Sequence, residues 1–416
     1  MPAHRNQPVR IMNHPAAATP QPRQRDLRLD FFRGLGMFII FCAHMPGNPW
    51  VRWIPARFGA SDATEIFVFC SGMASAIAFG TLFRERSWWM GTARVAFRCW
   101  QVYWAHIALF MVTVAMIAYF DTLNGDNFYS TRLYTRPFFE DTAAHLMGLM
   151  TLRYVPNYFD ILPMYLVLLA MMPFIVWLGL KNRWYAFAAM ALMWFGAQAG
   201  YLQFPGEVRV DSDREWFFNP FGWQLVFFTG FAFMMGWIKR PPFSWWLIGL
   251  AVAIIAFNFV FASRFFWPHH PWMYDVRDAI WVLFGKTDQG FIRYTHFLAL
   301  AYLCWLAAGE GGRRLAGAGV WGGFVRIVRR VGQQSLAVFL AGMVLAQFFG
   351  AALDVTGRNA LTITAANLAG FALLIATAYI CAFFKSQPWR KPPAAAVAPR
   401  AAPVAPTAGL SAQPAQ

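Results

Sequence analysis

Charge is scarce in this sequence. Asp, Glu, Lys and Arg make up 13% of 416 residues, about half their share in a soluble domain. The acids are scarcer still, 19 against 35 Lys and Arg. There are five cysteines, Cys42, Cys70, Cys99, Cys304 and Cys381, all in or beside apolar runs and none in a C-x-x-C pair. That speaks against a disulfide framework or a zinc ribbon and for small buried hydrophobes. No Walker A loop and no G-x-S-x-G elbow occurs. No His or Cys cluster has zinc spacing, and His269-His270 is a lone pair read as surface residues, so no metal site is expected. No period of 20–50 residues repeats, which weighs mildly against an inverted-repeat transporter. Residues 1–28 lack the apolar core of a cleavable signal peptide and read as a disordered cytoplasmic tail. The Ala- and Pro-rich residues 386–416 read as a second one.

What the chain has in excess is apolar surface. It is 58% hydrophobic and 18% aromatic, with 20 Trp, 43 Phe and a mean hydropathy of +0.41. Aromatic residues in such numbers suit a lipid-facing surface with ends in the headgroup layer. The net charge of +16 does not point to nucleic acid, because the basic residues fall in short clusters between apolar runs. A nucleic-acid binder gathers them on one soluble face.

A membrane span needs about twenty mostly apolar residues. Ten segments qualify: roughly 32–48, 63–83, 99–120, 161–180, 184–203, 221–238, 243–262, 289–308, 332–353 and 363–384. Each should be helical, since lipid offers no hydrogen-bond partner to exposed backbone. With the N-terminus inside, about twice as many Lys and Arg fall on the cytoplasmic side as outside, and most acids fall outside. The expected fold is an all-α polytopic membrane bundle of about ten transmembrane helices over 29–385, with both termini cytoplasmic. Three outer segments are long or charged. Residues 121–160 contain FFEDTAAHLMGLMTL, too polar to span, which lies at the interface or folds back into the bundle. Residues 263–288 contain WMYDVRDAIWVLF, an expected amphipathic helix. EVRVDSDREWFFNP covers 207–220.

The first span, FFRGLGMFIIFCAHMPGNPW, carries Arg33 and His44. Eleven residues at about 100° each come within about 20° of three turns, so the two share a helix face about 16 Å apart. Ionisable groups inside a bilayer are costly and tend to be functional, although a snorkelling Arg33 and a hydrogen-bonded interfacial His44 explain each residue taken singly. Asp62 and Glu65 flank the entry to the second span. Either orients or charge-stabilises His44, as carboxylates do in triads, or the two form an N-cap and its first-turn partner. Arg94 and Arg98 share a face four residues apart at the start of the third span. Gln101 and His106 follow on that span.

RGLGMFIIFCAH resembles the R-x10-H signature of the acyltransferase 3 superfamily, and the wider sequence is similar to its OpgC branch. The supporting blocks are RDLRLDFFRGL (25–35), FGASDATEIFVFCSG (58–72), DILPMYLVLL (160–169), FNPFGWQLVFFTGF (218–231) and QQSLAVFLAG (333–342). The resemblance implies a multi-pass protein of the bacterial inner membrane. It would move an acyl group, typically succinyl, from cytoplasmic acyl-CoA to hydroxyls of an osmoregulated periplasmic glucan. Acyl-CoA would then be a donor substrate with no tightly bound cofactor, and partners would be the glucan, the bilayer and glucan biosynthesis proteins. His44 would be the catalytic base, with Glu65 and Asp62 as its candidate supports. Arg33 would bind the CoA phosphates, joined by Arg98, Arg94 and Tyr103, because the superfamily has basic residues here followed by a tyrosine. Its closer Arg spacing and nearby proline are altered in this chain. Rival readings are an acyltransferase for another envelope polysaccharide, a polytopic transporter, and a catalytically silent partner in a glucan-processing complex.

Overall fold

The computed structural model describes residues 26–390 except 210, 264, 267 and 268. The two segments read as tails, 1–25 and 391–416, lie outside the described residues. Among the described residues the fold is a bundle of sixteen α-helices with no strand beyond a single bridge between Pro205 and Glu215. The first three helices are α1 (Leu27–His44), α2 (Ala63–Glu85) and α3 (Trp88–Asn124). Three short helices follow: α4 (Phe128–Arg132), α5 (Arg136–Glu140) and α6 (Thr142–Met150). Next come α7 (Ile161–Lys181), α8 (Arg183–Gln198), α9 (Pro220–Met235) and α10 (Trp245–Ala262). The short α11 (Pro271–Ala279) and α12 (Trp281–Phe284) precede α13 (Phe291–Ala308) and α14 (Gly319–Gln333). The chain closes with α15 (Ser335–Thr356) and α16 (Ala360–Ser386).

Seven helices among the described residues are long and apolar enough to cross a membrane: α2, α3, α7, α10, α13, α15 and α16. The other three expected spans are also helical but differ in kind. α8 and α9 have 16 residues each. α1 has 18, and Arg28, Asp30 and Arg33 interrupt its apolar run. α9 is apolar all round and buried on most of its surface, from Trp223 through Phe227, Phe228 and Phe231, the mark of a central helix. α1 starts at 27, not 32, because the Asp26 side chain caps it by accepting from the Arg28 N–H at 3.0 Å. It stops at His44, before Pro46, whose ring disfavours helical backbone at the residue preceding it.

Glycines set the closest helix pairs. A Cβ at Gly34 would run into the Val328 carbonyl, and one at Gly332 into the Asp30 carbonyl, so α1 and α14 touch backbone to backbone. Gly72 and Gly230 do the same for α2 and α9, against Phe227 and Phe69. Small residues at such crossings let backbones approach where lipid supplies no hydrophobic drive. α14 lies mostly between two of the expected spans, 289–308 and 332–353. It folds as an amphipathic helix, with Val325, Val328 and Val331 buried, in a segment that also carries Arg326, Arg329 and Arg330.

The outer segment after α3 folds back. The Tyr103 hydroxyl, well inside α3, donates to the Met150 carbonyl at the end of α6 at 2.8 Å. The irregular backbone that follows is buried through Tyr154, Val155 and Phe159 and is paired: the Arg153 and Tyr154 N–H groups reach the Gly148 carbonyl, and that of Val155 reaches Gly206. Such backbone is tolerated within a membrane protein only where protein surrounds it. The helix expected near 272–284 forms in two pieces, α11 and α12, broken at Ile280.

Candidate active site

His44 is the last residue of α1, and its chemistry follows from one local bond. Nδ1 lies 2.8 Å from the Ile40 carbonyl one turn back. A carbonyl can only accept, so Nδ1 carries the hydrogen and the neutral ring presents the Nε2 lone pair. The ring meets Tyr158 edge-on at 5.3 Å between centroids. Tyr158 has φ +71°, a conformation that is strained for an aromatic residue. The surrounding turn is held by the Asn157 N–H on the Leu133 carbonyl and the Asn157 side chain on the Arg132 carbonyl, both at 3.1 Å. Behind His44, the Gln347 amide donates to its backbone carbonyl at 3.1 Å, and Arg132 donates to the Gln347 oxygen at 2.9 Å.

Beside this group lies a set of four charges, Glu65 and Arg293 buried and Asp62 and Lys286 partly so. Asp62 accepts from Lys286 Nζ at 2.6 Å and from Arg293 at 3.1 Å. Arg293 also donates from Nε to Glu65, whose other oxygen accepts the Asp62 N–H at 2.8 Å. Asp62 caps α2 and Glu65 closes the capping box, as one of the two sequence readings expects. Burial works to raise the Asp62 pKa, but the Lys286 and Arg293 charges outweigh it and hold the carboxyl below the ordinary range. Two acids and two bases leave the set neutral. Neither carboxylate is hydrogen-bonded to His44; the Ile40 carbonyl orients the ring instead. Asp62 and Lys286 do lie within electrostatic reach of it, so both shape the field around the imidazole without touching it.

Arg33 stands three turns away on the same face, about 16 Å along the axis. Its guanidinium donates to the Ser335 hydroxyl at the start of α15. Between the two ends the face is filled by Met37 and Ile40, both buried. Open space lies on the neighbouring stripe, in an apolar cleft of about 250 Å³ between α1, α2 and α13. The cleft runs from Arg28 and Trp305 at one end to Ser61 and Asp62 at the other. Arg28 stacks on the Trp305 ring at 3.2 Å from its centroid and pairs with Asp26 at 2.7 Å.

The family model described as OpgC protein matches residues 25–386. The chain belongs to the OpgC family. No curated protein and no solved structure matches it. Membership points to a membrane acyltransferase that acts on glucans, and the OpgC match covers every element of the site just described.

The sequence candidates Arg94, Arg98, Tyr103 and His106 are placed elsewhere in this OpgC protein. Arg98 is half-buried and donates to Gln101 at 3.1 Å, Arg94 is exposed, and Tyr103 is bound to Met150. None of these bonds joins them to Arg33 or Ser335. His106 is fully buried, and neither ring nitrogen has a hydrogen-bond partner among the described residues. His296 accepts at Nδ1 from the Ser61 N–H at 3.2 Å, and its ring lies 2.8 Å from the Ser61 hydroxyl. Asn219 ties Asp288 to Leu202 and Gln203, and Gln224 donates to the Met190 carbonyl. These are fastenings of the scaffold. Sequence reasoning missed Tyr158, Lys286, Arg132 and Gln347. A Pro156-Asn157 turn signal precedes Tyr158, but nothing local marks the other three.

Proposed function

We propose that this OpgC protein transfers a succinyl group from cytoplasmic acyl-CoA to a hydroxyl of a periplasmic glucan in the bacterial inner membrane, with His44 as the general base. The observation that carries the reading is the Nδ1 bond to Ile40, which leaves Nε2 as the proton acceptor. A sugar hydroxyl is a poor nucleophile near neutral pH and needs a base in contact with it. In this mechanism His44 Nε2 takes the hydroxyl proton as the oxygen attacks the thioester carbonyl carbon. The C–S bond then breaks, and the proton passes from Nε2 to the departing thiolate. Arg33 supplies the cytoplasmic anion contact, since a guanidinium can donate twice to one phosphate. Arg94, Arg98 and Tyr103 have no assigned step in this scheme.

The reading is tested with the purified protein in lipid nanodiscs, succinyl-CoA and a linear glucan, following CoA thiol release and glucan mass together. Wild type should release thiol only when glucan is present, and His44→Ala should release none above background. Equal rates from both proteins would refute the base assignment, and thiol release without glucan acylation would refute the acceptor.

A further inference from the structure

We propose that Arg132 receives the distal carboxylate of the transferred acyl group and so selects dicarboxylic donors over uncharged ones; this rests on the acyltransferase reading above. The argument begins with charge. Near His44 the cations Lys286 and Arg293 are balanced by Asp62 and Glu65. Arg132 is not balanced: among the described residues no carboxylate lies within ion-pair distance of it. Asp354 is within electrostatic reach, but its oxygens are occupied by Arg358 at 2.6 Å and the Tyr129 hydroxyl at 3.0 Å. The Arg132 guanidinium donates to the neutral Gln347, and its Nε is buried with no hydrogen-bond partner among the described residues. A partly buried guanidinium left in this state is strongly disposed to take an anion.

Position links that anion to the reaction. Arg132 is one hydrogen-bonded residue removed from His44, through Gln347, and its charge reaches the Tyr158 phenol that lies against the His44 ring. Phe128 and Tyr129 flank the guanidinium, with its central carbon 5.5 and 5.3 Å from their ring centroids, so the fork is stiffened before any ligand arrives. An acyl group whose carbonyl is held at His44 and whose far end is a carboxylate fits this arrangement. An acetyl group leaves the cation unused. The carboxylate is held and not consumed, so the transfer chemistry is unchanged.

The test measures kcat/KM for succinyl-CoA and acetyl-CoA in nanodiscs with wild type, Arg132→Gln and Arg132→Lys. Wild type should favour succinyl-CoA. Arg132→Gln should lose about 10- to 100-fold with succinyl-CoA, the range of one charge-assisted hydrogen bond, and less than about threefold with acetyl-CoA. Arg132→Lys should recover most of the loss. The acetyl-CoA arm shows that the variant is folded. Equal losses with both donors would overturn the proposal in favour of a structural or acceptor-side role, as would a wild type with no preference. No transfer from either donor by wild type would instead overturn the acyltransferase reading itself.

Discussion

The two ends of α1 are built differently. At the Arg33 end the surroundings are mostly helix on helix: glycines bring α14 against the backbone, and the guanidinium donates to the Ser335 hydroxyl on α15. At the His44 end, side chains arrive from the segments around 130–160 and 286–293, from the start of α2 and from the middle of α15. A base needs a fixed tautomer and a controlled field. A phosphate contact needs charge and room. The helix supplies the spacing, and in the proposed mechanism the unequal surroundings divide the labour.

That division is sharpest in kinetics. His44→Ala should lower kcat by about 10²- to 10⁴-fold, the usual contribution of a general base, with the KM for acyl-CoA little changed. Arg33→Gln should do the reverse, raising that KM about tenfold or more through loss of a charge-assisted contact while kcat falls less. Titration of initial rates against acyl-CoA separates the two, and parallel losses in kcat for both variants would erase the distinction.

The charge set beside His44 offers a stability test of the same contrast. Arg293→Ala leaves Glu65 buried and unpaired and should destabilise the protein by about 3–5 kcal/mol. Arg33→Ala, at the end where glycine-mediated helix packing dominates, should cost less. Replacing Glu65 and Arg293 together, as Glu65→Gln with Arg293→Gln, should recover part of the first loss. Thermal unfolding in detergent reads all three, and equal shifts for Arg293→Ala and Arg33→Ala would contradict the account.

The smallest effect concerns pH. Asp160 precedes α7, two residues after Tyr158, and is buried with Oδ1 unpaired. Burial pushes its carboxyl up to about 7 against the pull of Arg214, from an ordinary 3.8. A folded-state pKa above the unfolded one means that stability is fully present below about 4 and is lost as pH rises through 7. The melting temperature of wild type should therefore fall between pH 4 and pH 8, and Asp160→Asn should flatten that fall by a few degrees. An unchanged slope would show that Asp160 carries none of it.

Much of the fold was legible because lipid imposes a simple rule, and every expected span appears as a helix. α1 starts five residues early because a single cap, Asp26, outweighs the approach of charge. α9 is shorter than a free-standing span, and neighbouring helices bury most of it. The Arg33–His44 pair was legible because both residues ride one helix, where spacing alone gives geometry. Tyr158, Lys286, Arg132 and Gln347 were not, since they converge from segments up to three hundred residues apart. Asp62 and Glu65 were found, but their pairing with Arg293 and Lys286 was not. Only the folded chain shows that Arg293 and Lys286 claim both carboxylates before His44 can.

The most direct measurement is mass spectrometry of periplasmic glucans from a strain lacking this protein, complemented with wild type or with His44→Ala at matched expression. The account predicts acyl mass increments, of the size of succinyl, restored by wild type and absent with His44→Ala. Equal restoration by both proteins would contradict it.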